Sequence, residues 1–410
     1  MAGENPANRP FDLVVFGATS FAGQILCRYL VDRHGADGAL RWAIAGRNPA
    51  KLDELAAVTG ADVERLIANA DSSDDMARLA QSARVVASTV GPYALYGSNL
   101  VGAVAAAGTD YCDLSGEPHW MQQMIDAHSA TAAASGARIV HACGVDSIPS
   151  DLGVLFTQQQ AISRLGTYCS QIEMRVKAFK GGFSGGTFAS MMNTMEEAVS
   201  DPSLRKVLTN PYALAPEGQR SGVRQPNVSV PVRDEASGSW VAPFVMGSVN
   251  TRVVHRTNAL LGHPWGDDFR YDEASMMGNG IAGAARATAM SAGLGAFIGA
   301  AAVRPIRGLL NKLLPEPGSG PSLKVRENGF FDFRFHGTTE DGRTIVTKVT
   351  GDRDPGYGST GKMLGEAAVA LASLDRRTVG GGFWTPATAF GRSLIEPLQT
   401  HAGVSFEVLS

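Results

Sequence analysis

Apolar residues in this chain fall into short continuous runs that end on glycine or a polar turn, with stretches of helical spacing between them. The first run, FDLVVF at 11–16, stops at Gly17, and from Thr19 a helical pattern follows through Phe21, Ile25, Leu26, Tyr29 and Leu30. A continuous apolar run of this length predicts a strand buried on both faces. The alternation then repeats. Residues 42–45 predict a second strand and 51–58 a helix; 63–68 predict a third strand, and Ser72 with Asp75 has the capping pattern of the next helix. A fourth strand at 84–90 is broken by Gly91 and Pro92. An Ala-rich helix at 100–108, a strand at 109–114, a helix at 121–135 and a strand at 137–142 complete the series. Strands alternating with helices predict a parallel sheet covered on both faces.

Beyond about residue 151 the pattern changes. Residues 171–179 alternate as an amphipathic strand, and KGGFSGGT at 180–187 places four glycines in eight residues, a bend or a backbone surface that meets a ligand. The stretch 201–239 is rich in Pro, Ser, Arg and charge and reads as a long surface excursion, and 240–254 predicts two strands around Asn250. Residues 278–303 are Gly/Ala-rich and apolar. Arg286 interrupts them and small side chains supply little transfer energy, so the expectation is a lining for an apolar substrate or a membrane-surface contact, with close helix packing as the plain alternative and no spanning helix. PEPGSGPS at 315–322 reads as a linker-like turn. Residues 330–336 and 344–350 form a predicted hairpin around Glu340, Asp341 and Gly342, 357–373 a helix returning to the first domain, and the C-terminus a helix and a final strand. The fold expected is α/β: a Rossmann-type doubly wound parallel sheet over 1–150, a second α+β domain over 151–355, and a return segment over 356–410.

The chain of 410 residues carries net charge −3 and 18% charged residues, so no basic excess points to nucleic acid. The polar start MAGENPANRP has no apolar core of the kind a signal peptide needs. Four cysteines (27, 112, 143 and 169) show no C-x-x-C spacing; neither a metal site nor a disulfide framework is expected, and Cys143 reads as packing. These features lead to the expectation of a reduced, cytoplasmic setting.

A strand, a glycine-bearing turn and a helix form the first unit of a dinucleotide site. Gly17 and Gly23 occupy the outer positions of G-x-x-G-x-x-G and Ser20 the middle one. The second strand ends in Gly46, Arg47 and Asn48, with Lys51 a turn later, where an NAD site carries a carboxylate for the ribose. A guanidinium there binds a 2′-phosphate that a carboxylate would repel, so the cofactor expected is NADPH. Asp71, after the third strand, is a candidate on the adenine side. Ser88, Thr89, Val90 and Gly91 fall at the carboxyl edge where ligands bind. Tyr93, Tyr96 and His119 are the candidate proton donors. Either tyrosine is equally compatible with a packed aromatic. Asp113, Glu117 and His119 cluster just past the fifth strand as a candidate acid/base site, with Glu117 and Pro118 as a simple helix start the alternative.

FGATSFAG, AGRNPAKL, VGPYALYG, GTDYCDLSGE, HACGVDSIPSD, KGGFSGGT and DPGYGSTGKMLGE occur in this order along nearly the whole chain. Together they resemble the saccharopine dehydrogenase-like superfamily and, more closely, the mycobacterial trans-acting enoyl reductases. The resemblance implies a Rossmann domain with a second domain inserted before a C-terminal return. It also implies NADPH-dependent reduction of a carbon–carbon double bond in a polyketide-derived long acyl chain, presented by a polyketide synthase or acyl carrier, in the making of cell-envelope lipids. Residues implied at or near the cofactor are Gly17, Ala18, Thr19, Ser20, Phe21, Gly23, Arg47 and Gly91; no catalytic residue carries over. Expected partners are the acyl-presenting protein, a second copy of the chain as a homodimer, and the inner face of the plasma membrane through 278–303. Two other readings stand beside it. One is an amino-acid oxidoreductase whose substrate carboxylates would need Arg175, Lys177, Arg252 or Arg256, residues otherwise compatible with exposed strand faces. The other is a non-catalytic lipid-associated scaffold.

Overall fold

A computed structural model describes residues 9–182, 185–303, 305–306 and 320–410. Six of the seven strands of the first sheet come in chain order: β1 (Phe11–Phe16), β2 (Trp42–Gly46), β3 (Glu64–Ile67), β4 (Ala83–Ser88), β5 (Asp110–Asp113) and β6 (Arg138–Val140). Helices α1 (Phe21–His34), α2 (Pro49–Thr59), α3 (Ser73–Ser82), α4 (Tyr93–Tyr96), α5 (Ser98–Ala107) and α6 (Pro118–Ser135) connect them. All pairings are parallel. From β1 the chain winds one way to β2 and β3, then returns to lay β4, β5 and β6 on the other side. That reversal opens a crevice between the carboxyl ends of β1 and β4, where open α/β sheets bind ligands.

Alternation along β1 explains the layering. Leu13 and Val15 face one core, with Leu26 and Leu30 of α1. Val14 and Phe16 face the other, with Leu79 of α3 and Val101 and Val104 of α5. The first core continues through α7 (Ile148–Leu165) and the helix Thr360–Ser373 into the inner face of a second sheet, including Met174, Phe333 and Phe335.

The second sheet contains β7 (Cys169–Lys180), β8 (Val232–Arg233), β9 (Trp240–Pro243), β10 (Arg270–Gly278), β11 (Phe330–Thr339) and β12 (Thr344–Gly351). β7 and β10 pair in parallel and the other pairs are antiparallel. The expected hairpin is β11–β12. Between these strands lie α8 (Gly185–Ser200), α9 (Pro202–Thr209), α10 (Gly247–Leu260) and α11 (Gly280–Ala302). The C-terminal segment serves both sheets: β13 (Gly382–Trp384) extends the first beside β6, and β14 (Val404–Val408) extends the second beside β12.

Two expectations are corrected. The two strands around Asn250 are one strand, β9, and one helix, α10, with Asn250 inside the helix. Val249 and Val253 share a helical face, and burial overrides the strand preference of β-branched residues. The excursion at 201–239 includes helix α9 and strand β8. Of the glycine-rich run 180–187, residues 183–184 lie outside the described residues, and Gly185 begins α8; of the linker 315–322, residues 315–319 lie outside them, as do the first eight residues of the chain.

The junction between the two sheets is packed tightly. A Cβ placed on Gly153 of α7 would overlap the buried ring of Phe335. Relieving such a clash costs about 1–3 kcal/mol, whereas replacing a helical glycine by alanine gains only about 1 kcal/mol. Gly153→Ala is therefore expected to lower the thermal midpoint by a few degrees. Gly293→Ala in α11, where nothing lies within 4 Å, is expected to leave it unchanged or raise it; differential scanning calorimetry of both variants checks the pair.

Candidate active site

The turn after β1 sets the geometry of the crevice. Gly17 has φ +83°, and a Cβ there would lie 2.6 Å from Cγ2 of Val90. A Cβ on Gly23 would overlap the carbonyl oxygen of Gly17, so α1 can sit this close to the turn only with glycine at both places. Ser20 takes the middle position as the N-cap of α1. Its hydroxyl accepts from the Gly23 N–H at 3.0 Å and lies 2.9 Å from the Thr89 hydroxyl, which donates to the Gly17 carbonyl at 2.9 Å. The departure from glycine thus becomes a bond between the turn and the end of β4. Ala18 is buried beneath the turn, while Thr19 and Phe21 are partly exposed along it. The first N–H groups of a helix have no intrahelical partner and carry partial positive charge, which suits a pyrophosphate.

Beyond β2, Arg47 is exposed and enters no ion pair among the described residues. Asn48 caps α2 by accepting from the Lys51 N–H at 3.1 Å, and the Lys51 side chain is exposed. Asp71 is exposed beyond β3, its N–H bound to Asn69; Ser72 caps α3 as its spacing predicts. Gly91, exposed, follows β4 and is joined to Pro92 by a cis peptide. A tight glycine turn and the N-terminus of α1 could hold the pyrophosphate of a dinucleotide, with the exposed Arg47 guanidinium beyond β2.

Motifs far apart in sequence close the crevice. Asp354 accepts from the N–H of Gly182 and of Tyr357, each near 2.9 Å, which ties the start of the glycine-rich run to the turn before the helix Thr360–Ser373. The Tyr357 ring meets Phe21 edge-on at 4.9 Å. Helix α8 crosses the carboxyl edge of the first sheet. Its Ser190 hydroxyl bonds Glu117, and its Glu197 reaches Nε2 of His119 at 3.2 Å.

The three proposed donors fare differently. Tyr93 is buried; its hydroxyl donates to the Ser88 carbonyl at 3.0 Å and accepts from the Leu114 N–H at 3.1 Å, bracing β4 against β5. Burial and nearby carboxylates push this phenol well above its ordinary range. The arrangement is that of a packed aromatic with a satisfied hydroxyl. Tyr96, 38% exposed, stands at the end of α4 away from these bonds. His119 is buried, and burial holds its imidazole below the usual range against the opposing pull of Glu197. Glu117 is the N-cap residue of α6, directly before Pro118, yet its carboxylate serves α4, accepting from the N–H groups of Tyr93 and Ala94 at 2.9 Å. His141 is a core histidine, its Nδ1 2.7 Å from Asp113. Cys143 is buried and its thiol is pushed well above the ordinary range.

Sequence reasoning passed over Asp146, Ser190 and Glu197. Asp146 follows β6 on the same edge as Glu117, and burial together with the charge of Asp113 raises it to about 7. The signal available was an acid a few residues past a strand end, just before the boundary expected near residue 150.

Of the basic residues needed for an amino-acid substrate, the three arginines are occupied. Arg175 is buried against Glu173, Asp234 and Asp272. Arg252 and Arg256 lie on α10, not on a strand, and donate to backbone carbonyls of Leu208 and Ser248, and of Leu214 and Phe383. Lys177 is exposed on β7. Among the described residues no cluster suited to a metal ion occurs.

No family model matches the chain. It is 40% identical to a protein of Mycobacterium tuberculosis provisionally named a trans-acting enoyl reductase, covering 97% of each chain. It is 36% identical to a trans-acting enoyl reductase of Mycobacterium ulcerans, covering 97% of this chain and 98% of that one. In fold it is similar to the apo saccharopine dehydrogenase (L-Glu forming) of Saccharomyces cerevisiae, with TM-score 0.54 and 12% identity over 98% of this chain and all of that one. With relatives this similar along its full length, the chain belongs to the family of trans-acting enoyl reductases.

Proposed function

We propose that the protein is an NADPH-dependent enoyl reductase that saturates a carbon–carbon double bond in a polyketide-derived long acyl thioester. The observation that carries the reading is family membership over the whole chain. The free guanidinium of Arg47 where an NAD site would carry a carboxylate supports NADPH over NADH. The consumed arginines of the second domain weigh against a polycarboxylate substrate.

When bound, NADPH supplies a hydride to the β-carbon of the enoyl group. The residues of this chain have the other tasks. Gly17 and Gly23 admit the pyrophosphate to the turn. Arg47, with Lys51 nearby, holds the 2′-phosphate, and Asp71 borders the adenine side. Thr89 and Gly91 form the floor against which the reacting groups lie, and α8 covers that floor and limits access of water. Electron density moved onto the thioester oxygen needs a hydrogen-bond donor, and the α-carbon needs a proton.

An acyl carrier or polyketide synthase presents the chain in this reading, and the products are cell-envelope lipids. Helix α11 supports an apolar setting. Its stretch Gly280–Ala301 is the one helix among the described residues long and apolar enough to cross a membrane, and little of it is buried, with Ile281 90% exposed. A cytoplasmic homodimer resting on the inner face of the plasma membrane through α11 completes the proposal.

NADPH oxidation with a long-chain 2-enoyl thioester, read by product mass, tests the reaction. The expected product is the saturated thioester; NADPH binding without turnover on free or carrier-bound thioesters would sink the reading. Arg47→Ala removes a charge-assisted phosphate contact worth about 1.5–3 kcal/mol. NADPH binding should therefore weaken by roughly tenfold to a hundredfold, while NADH binding stays within about twofold. Equal losses for both nucleotides in fluorescence titration would contradict the 2′-phosphate role. Gly23→Ala, which forces the turn and α1 apart, should weaken both nucleotides alike.

A further inference from the structure

Three carboxylates meet at the carboxyl edge of β5 and β6, and two are fully engaged. Asp113 faces Nδ1 of His141 at 2.7 Å through one oxygen, and its other oxygen accepts from the N–H groups of Ser115 and Ala142 at 3.0 Å. Glu117 holds two N–H groups of α4 and the Ser190 hydroxyl. Asp146 differs. Among the described residues its carboxyl meets only its own backbone N–H, and it is partly exposed.

The ground around Asp146 is cleared by glycine. A Cβ on Gly144 would lie 2.6 Å from Oδ2, and one on Gly116 would lie 4.0 Å from Oδ1 and 3.9 Å from the Met246 methyl. Leu114 and the Thr360 methyl stand beside Gly144. A lone carboxyl thus sits among apolar groups at the ligand-binding edge, between the first sheet and the elements that cover it.

Resting on the enoyl reductase reading, we propose that Asp146 is the catalytic acid that protonates the α-carbon of the substrate. Hydride arriving at the β-carbon breaks the π bond, and its electron pair passes toward the thioester carbonyl as an enolate. The α-carbon then forms its new C–H bond with the proton of the Asp146 carboxyl, whose O–H bond breaks. The carboxylate left behind regains a proton from water, which reaches the partly exposed side chain.

The protonation state agrees with this role. Burial first, then the charge of Asp113, raise Asp146 to about 7, with its own N–H opposing. The other titratable groups that sense it, Tyr93 and Cys143, are both pushed well above their ordinary ranges and stay neutral. Thr360 and Met246, from the covering elements, do not titrate. The acid form therefore prevails below about pH 7, and turnover falls as pH rises through that value.

The test compares the full-length wild type with Asp146→Asn and Asp146→Glu on the enoyl thioester. Asp146→Asn should lower kcat by about 100-fold or more, leave the NADPH dissociation constant within about threefold, and lose the alkaline limb of the pH profile; Asp146→Glu should recover part of the rate and keep that limb. A second readout needs no turnover: because burial also raises Asp151, Glu173 and Glu273 to about 7, the infrared spectrum of Asp146→Asn is subtracted from that of the wild type, and the difference should hold a protonated carboxyl band that titrates near pH 7. An Asp146→Asn enzyme within tenfold of wild type, or one with an unchanged alkaline limb, overturns the assignment. So does a difference spectrum without that band, read on an Asp146→Asn protein whose circular dichroism matches the wild type. A wild type that reduces no enoyl thioester sinks the underlying reading, whereas a working wild type with a working Asp146→Asn variant sinks this inference alone.

Discussion

The close approach between the turn after β1 and the end of β4 governs much of the molecule. Leu13 and Val15 on one side of β1, Val14 and Phe16 on the other, fix that strand between two cores. The strand then delivers Gly17 to a place where a side chain would strike Val90. Ser20 and Thr89 lock the contact through their hydroxyls. Once β4 is held in this register, the short helix α4 beyond it is placed, Glu117 can cap that helix, and α8 has a surface to rest on through Ser190. Shape at the sheet edge is therefore propagated outward from one tight turn by hydrogen bonds to backbone N–H groups, which are directional and costly to leave unmade when buried.

A second node, Asp354, does for the covering elements what the turn does for the sheet. By collecting N–H groups from Gly182 and Tyr357 it joins the segment before α8 to the segment before the helix Thr360–Ser373. That helix packs on α1, and its residue Glu366 accepts from the Tyr29 hydroxyl. The two sides of the crevice are thus held by residues more than 170 positions apart.

Local pattern reveals what local energetics decide. The strands of the first sheet stand out because burial on both faces requires unbroken apolar runs, and the capping role of Ser72 and the missing acid after β2 are matters of neighbouring residues. Helix α10 is hidden because it buries Arg252 and Arg256, whose acceptors are carbonyls on distant segments. The parallel pairing of β7 with β10 and the parting of β13 from β14 depend on partners that no local spacing encodes. The same distinction runs through the site. Gly17, Ser20 and Arg47 are readable from their positions relative to a strand end. The bracing role of Tyr93 is not, because it depends on Ser88 and Leu114 presenting backbone groups to one hydroxyl. Asp146 escapes notice for the opposite reason: its distinction is a lack of partners, and only three-dimensional neighbours define that.

The divided C-terminus has a consequence for how the chain is made. β13 closes the edge of one sheet and β14 the edge of the other, and both lie within the last 30 residues. During synthesis, neither domain has its full complement of strands until its C-terminal strand, β13 or β14, has been made, so both wait with an open edge of the kind that pairs with foreign chains. Because β13 and β14 lie so close in sequence, the two sheets are completed at nearly the same time. The two domains are therefore not separable goods: a cut at the apparent boundary near residue 150 leaves the first without its outermost strand, and trimming the tail damages both at once.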